Sequence, residues 1–191
     1  MRLDHFALVA PIYDWVFGGV MPPTRLLALL DLPTDGWLLD AGGGTGRVAQ
    51  HLCGRVGGLA VVDFSCGMLR QARRKVCLAA ARSRVQRLPF ADGAFERIIA
   101  VDSFHHFEDQ EGAAVELLRV LAPGGRLVVE DFDVNRAAVK LLALGERLLL
   151  MNSRFLNARA MARLFELAGG RVTLYTDHPL NFWAVVEKPH T

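Results

Sequence analysis

Three glycines spaced two apart, at 42, 44 and 46, follow the apolar run Leu38-Leu39-Asp40-Ala41. A strand that ends in such a loop, with a helix beginning at about Thr45, lets the backbone turn tightly and brings a ligand close to its N–H groups. The start of that helix would turn unpaired N–H groups and a positive dipole end toward a carboxylate or phosphate. Further along, Asp63 closes a second apolar run, Leu59–Asp63. A carboxylate there can accept hydrogen bonds from both hydroxyls of an adenosine ribose. Loop and acid together imply an adenosine-containing ligand.

Spacing separates the ligands of that kind. A dinucleotide loop reads G-x-G-x-x-G, whereas this one reads G-x-G-x-G, with the third glycine one residue early. Asp40 points the same way. S-adenosylmethionine (SAM) would bring an ammonium and a sulfonium to this carboxylate, while a pyrophosphate would be repelled. A short-chain dehydrogenase would also need a tyrosine followed four residues later by lysine. Tyr13 and Tyr175 are followed at that distance by Phe17 and Pro179, which disfavours a nicotinamide enzyme.

Hydrophobic patterning supplies the elements that must hold these residues. Residues 1–32 read as mainly helical, interrupted by Gly18, Gly19 and Pro22–Pro23. Buried strands are expected at 37–39, 59–63, 84–86, 97–101, 126–130, 171–175 and 182–187. Helices are expected at about 45–52, 66–80 (with Ser65 as N-cap), 110–121, 136–150 and 157–168. Pro123-Gly124-Gly125 reads as a turn. Strands alternating with helices imply an α/β fold with a mostly parallel sheet and helices on both faces. Its ligand belongs at the carboxyl ends of the strands, where strand order reverses. No repeat or low-complexity linker divides the chain, so residues 1–191 read as a single domain.

Composition narrows the function further. The chain is 52% hydrophobic and 22% charged, which is globular. A mean hydropathy of +0.25 leaves room for an apolar pocket, an interface or a membrane-facing patch. The net charge of +2 gives no argument for nucleic acid. The basic run Arg70, Arg73, Arg74, Lys75, Arg82, Arg84 and Arg87 reads as a solvated helix face followed by a loop. Cys53, Cys66 and Cys77 form no CxxC pair and read as buried small hydrophobes rather than a disulfide framework. The N-terminus lacks a signal-peptide core, and no long uncharged apolar run suggests a membrane span. A cytoplasmic protein is expected, with at most peripheral membrane contact. His51 and His178 have no metal-ligand spacing, so no metal site is expected.

LLDAGGGTGRVA, VVDFSCGML, RLPFADGAFERIIAVDSFHHF and LLRVLAPGGRLVV, in that order, resemble the class I SAM-dependent methyltransferases. The likeness is to the small type-11 and ubiquinone/menaquinone C-methyltransferase (UbiE-like) group and covers most of residues 6–130. The opening FALVAPIYDW resembles the A-P-x-Y-D segment of quinone and phospholipid methyltransferases. This resemblance implies a Rossmann-like, doubly wound, seven-stranded sheet with an antiparallel last strand. Residues 1–32 would form a helical lid segment over a core at 33–191. It implies SAM as cofactor and S-adenosylhomocysteine as product. Asp40, Ala41, Gly42, Gly44 and Gly46 would hold the methionine moiety, with Tyr13 folding over it, and Asp63 the ribose. Phe64 and Met68 would flank the adenine, to which Val85 and Gln86 would offer backbone contacts. Asp102, Ser103 and His105 would line the floor below the methyl group. In one departure, Arg84 stands where the family often has an acidic residue facing the adenine amino group.

Methyl transfer requires a nucleophile aligned with an activated carbon and sheltered from water. A base is optional. His105 is the catalytic candidate, since imidazole can take a proton near neutral pH; the competing reading is that it and His106 simply pack the segment after the fourth strand. The acceptor implied is a small, apolar, lipid-soluble molecule, a quinol-like ring carbon being favoured, although the chain is short for a full quinone methyltransferase. The alternatives are N- or O-methylation of a phospholipid or other small molecule, and a SAM-binding module without catalysis. The apolar segment at 137–151 could cover a greasy pocket or serve as ordinary core.

Overall fold

The computed structural model describes Ala10, residues 23–136, Val139, and residues 153–176 and 179–190. Tyr13 and most of the helices expected at 1–32 and 136–150 lie outside these residues. Seven strands form one sheet: β1 (Trp37–Ala41), β2 (Gly58–Asp63), β3 (Ala79–Arg82), β4 (Phe95–Val101), β5 (Leu121–Phe132), β6 (Arg171–Tyr175) and β7 (Asn181–Glu187). Their order is β3-β2-β1-β4-β5-β7-β6. β1 to β5 run parallel, while β7 lies antiparallel between β5 and β6. This is the doubly wound sheet expected, and the order reverses between β1 and β4.

Alternation along the central strands builds a core on each face. Leu39, Val62, Ile98, Leu127 and Val129 face α3 (Gln110–Val120) and α4 (Ala158–Leu167), where Leu117, Met161 and Phe165 pack on them. Leu38, Val61, Ile99 and Val128 face the other way, onto Leu26 and Leu30 of α1 (Pro23–Leu30) and Leu69 of α2 (Cys66–Ala72). The helix starts are capped as local chemistry dictates. Ser65 Oγ accepts from the Met68 N–H at 3.3 Å, and Asn157 Oδ1 from the Ala160 N–H at 2.9 Å.

Five expectations need correction. After the glycine loop there is no α-helix at 45–52, only a 3-10 turn at Ala49–Leu52. Gly46 has a φ of +70°, so the left-handed turn of the loop continues past Thr45 and delays the helix. The helix expected at 66–80 stops at Ala72, and the third strand is Ala79–Arg82 rather than 84–86. Alanine is the strongest helix former, yet Ala79, Ala80 and Ala81 pair in register with Ala60, Val61 and Val62. Sheet completion overrides propensity, and residues 84–87 form a turn closed by Arg87 N–H to Arg84 O at 3.0 Å. β5 starts at Leu121, because that residue already pairs with Phe95 before the register shifts at the Pro-Gly-Gly segment. Finally, Cys53 and Cys77 are joined in a disulfide and Cys66 is exposed. The fold brings the end of the 3-10 turn beside the approach to β3, a proximity that their 24-residue separation conceals.

The strain at Gly46 is measurable. A Cβ there would sit 2.5 Å from Leu78 Cδ1, whereas at Gly54, with a similar φ of +73°, it would meet nothing. Urea denaturation should find Gly46→Ala destabilised by about 1–3 kcal/mol and Gly54→Ala by less. Equal costs would mean that Leu78 yields freely.

Candidate active site

The carboxyl ends of β1, β2, β4 and β5 converge at the switch point, and the site is built from the residues just beyond them. At the end of β1 the loop is tied to β2, since the Gly42 and Gly43 N–H groups both donate to Val62 O, at 2.8 and 3.2 Å. Asp40 lies beneath this turn, 2% exposed. A Cβ on Gly43 would stand 2.3 Å from Asp40 Cγ, so the carboxylate occupies the space that a side chain at 43 would need. Gly43 was not singled out in the sequence, although it completes an unbroken run of three glycines. Asp40 Oδ2 is buried and accepts no hydrogen bond. Burial pushes the Asp40 carboxyl up to about 7, with Asp63 adding to the effect and Arg47 opposing it.

Asp63 is held by two backbone donors. The Gly44 N–H reaches Oδ2 at 3.0 Å and the Ser65 N–H reaches Oδ1 at 2.7 Å. They orient the carboxylate across the loop from Met68, whose side chain is buried. A Cβ on Gly44 would lie 3.9 Å from both Asp63 Oδ2 and Met68 Sδ. Gly44, Asp63 and Met68 therefore surround one small open cradle. Phe64, by contrast, is 46% exposed, with its ring beneath the guanidinium groups of Arg84 and Arg82, 4.4 and 4.9 Å from the ring centroid. Arg84 also pairs with Glu108. Arg84 is thus engaged by an aromatic face and an acid. Val85 is a core residue, and Gln86 is half-buried beside it.

On the β4 side, Asp102 takes a φ of +52° and pairs with Arg47 at 3.2 Å. Ser103 Oγ donates to Ala41 O at 3.0 Å, bolting the end of β4 to the end of β1. A Cβ on Gly42 would come within 3.0 Å of Ser103 Cβ, so this strand pair closes tightly. Arg47 had no signal in the sequence beyond its place after the glycines.

β5 contributes two acids on opposite faces. Asp131 accepts the His105 backbone N–H at 2.9 Å and bonds the His105 ring at Nδ1, 2.6 Å away. His105 is buried, stacked on Phe155 with ring centroids 4.3 Å apart. His106 bonds Ser153 Oγ through Nδ1 at 3.0 Å, and burial with the neighbouring His105 holds it neutral, at about 2. Glu130, on the other face, receives a hydrogen bond from the Asn181 side chain. Burial lifts its carboxyl to about 7, the Asn181 bond opposes that, and Asp102 and Asp131 raise it further. Glu130 is a buried acid that sequence reading passed over, because an acid at the end of a strand looks like a surface residue. Among the described residues no cluster of His, Cys, Asp and Glu could hold a metal ion.

The fold is that of the Rossmann-like methyltransferases. In a solved structure, phosphoethanolamine N-methyltransferase 2 of Haemonchus contortus in complex with SAM superposes with a TM-score of 0.80 at 16% identity, covering 98% of this chain and 58% of that one. Residues 39–129 match the family model described as a methyltransferase domain. The demethylmenaquinone methyltransferase of Thermus thermophilus is 42% identical over 145 residues, 66% of this chain and 64% of that protein. The ubiquinone/menaquinone biosynthesis C-methyltransferase UbiE of Geotalea daltonii is 29% identical over 149 residues, 70% of this chain and 63% of that protein. The chain is thus similar to these methyltransferases over much of its length, and it spans slightly less than two thirds of the length of these two relatives.

The raised carboxyl of Asp40 sets a pH dependence. A group lifted from 3.8 to about 7 by folding stabilises the protein at low pH, and that contribution is lost as pH rises to about 7. In ligand-free protein, Asp40→Asn should therefore gain about 2–4 kcal/mol on the wild type between acid and mildly alkaline pH. Parallel stability–pH curves for the two proteins would refute the assignment.

Proposed function

We propose that this chain is a SAM-dependent methyltransferase, with residues 1–32 as a lid segment on a single domain. The observation that carries this reading is the Asp40 carboxylate, buried under the glycine turn with one oxygen unpartnered. A buried acid in that state asks for a cationic ligand, and the ammonium of a methionine moiety meets it. The cradle between Gly44, Asp63 and Met68 fits the rest, because Asp63 is already aimed and can accept from ribose hydroxyls. SAM supplies, when bound, a methyl carbon made electrophilic by a positive sulfur.

The chain's own residues do the remainder. Asp40, Ala41, Gly42, Gly44 and Gly46 bind the methionine end, with Tyr13 closing over it. Met68 packs the nucleoside from below. Phe64, Val85 and Gln86 border the adenine, with Arg84 in place of an acidic partner. Asp102 and Ser103, fixed by Arg47 and Ala41, floor the pocket between β1 and β4. Loops closing on this floor exclude water and align the acceptor. His105, oriented by Asp131, is the residue for any proton that must leave the acceptor.

The relatives' names, demethylmenaquinone methyltransferase and ubiquinone/menaquinone biosynthesis C-methyltransferase, support a quinol-like ring carbon as acceptor. Such carbons are electron-rich, so alignment can outweigh base catalysis. A cytoplasmic location belongs to the same reading; no described helix is long and apolar enough to cross a membrane.

Calorimetry should show SAM binding that weakens by about 1–3 kcal/mol in Asp63→Ala, through loss of charge-assisted hydrogen bonds. Heat from NADH and none from SAM would overturn the reading. With radiolabelled SAM, label should pass to reduced demethylmenaquinone; label only in water-soluble products would reject a lipid acceptor. If His105 takes a proton, His105→Asn should lower kcat about 100-fold while leaving SAM affinity unchanged. A fall in both would mark a packing role.

A further inference from the structure

We propose that the sheet edge formed by β3 and α2 is a docking surface for an anionic lipid bilayer. Between Asp63 and Asp92 the chain carries six arginines, one lysine and no acidic residue. With 22 basic and 20 acidic residues in all, the rest of the chain is left with 15 basic and 20 acidic side chains. A near-neutral net charge therefore hides a strongly polarised molecule. Arg70, Arg73, Arg74, Arg82, Arg84 and Arg87 are all exposed. Lys75 stands apart, because its charge acts on the buried Asp40.

These cations do not form the helix face that their sequence suggests. α2 ends at Ala72 after burying Leu69 and Ala72, which leaves Arg73 and Arg74 in the turn that follows and Arg82 at the end of the edge strand. Guarding an edge against pairing explains a charge on β3 itself, but not the run on either side of it. Two exposed apolar side chains flank this edge: Val76, 88% exposed, before the amino end of β3, and Phe64, 46% exposed, at the carboxyl end beside Arg82 and Arg84. Cations around exposed apolar groups match the headgroup region of an anionic bilayer.

Nucleic acid fits less well. Single strands are bound by stacking successive bases on several aromatic faces, and Phe64 is the one exposed aromatic side chain of residues 64–91. Duplexes are read by an inserted helix, and α2 is a seven-residue helix packed on β2. Phe64 directly follows Asp63, so the surface begins beside the proposed cofactor cradle.

The inference stands on the charge distribution and the exposed Val76 and Phe64, and its test needs no methyl acceptor, so its failure would leave the methyltransferase reading untouched. The full chain is sedimented with vesicles of phosphatidylcholine, and of phosphatidylcholine mixed with phosphatidylglycerol. It should pellet with the mixed vesicles only and be released by salt. The triple variant Arg73→Glu/Arg74→Glu/Arg87→Glu, with unchanged circular dichroism, should partition at least about tenfold more weakly. Should that variant not fold, Val76→Asp and the salt titration of the wild type decide in its place, weaker binding in each supporting the proposal. Equal binding to both vesicles, no binding to either, or unchanged binding after charge reversal would overturn it. So would charge-dependent binding of an RNA oligonucleotide by a chain that ignores the vesicles.

Discussion

Burying a carboxylate with one oxygen left without a hydrogen bond is costly, and Asp40 Oδ2 is such an atom, wedged beneath Gly43 at the end of β1. The cost is bearable in the neutral form, which is why burial drives the group toward neutrality. Everything nearby is shaped by it. Gly43 can carry no side chain, the backbone must turn at once, and the N–H groups of Gly42 and Gly43 find their acceptor on β2. A cationic ligand would restore the missing interaction and convert a destabilising group into a binding one.

Two further bonds make the loop a shaped receptor rather than a flexible turn. Asp63 draws the Gly44 N–H across from β1 to β2, while Ser103 ties β4 to the Ala41 carbonyl. The gap between β1 and β4, where strand order reverses, is thereby fixed at both rims. Beyond it, the pleat of β5 turns two adjacent acids to opposite faces. Asp131 is spent on His105, within the apolar face that includes Phe104 and Phe165, while Glu130 stays with Asn181 and Asp102 on the opposite face. One strand end thus furnishes a fixed His–Asp pair and a poised carboxyl.

Legibility followed the range of the interactions. β1, β2, β4 and β7 were readable because strands buried on both faces are nearly uniformly apolar. The cap at Ser65 is local and was equally plain. β3 was not. Its alanines have no β preference, and only pairing with β2 makes them a strand. The helix expected after the glycine loop failed for a related reason: a periodic pattern says nothing about the φ of Gly46.

Taken by itself, the amino-acid order determined the fold class, the glycine loop and the acid that ends the second strand, because each is a short-range pattern tied to backbone geometry. Tertiary structure alone decided that Asp40 Oδ2 is left without a hydrogen bond, that Arg47 meets Asp102, that Cys53 meets Cys77 and that Arg82 closes an edge strand. Those facts depend on which distant segments become neighbours, and burial, not residue type, sets the charge state of each acid.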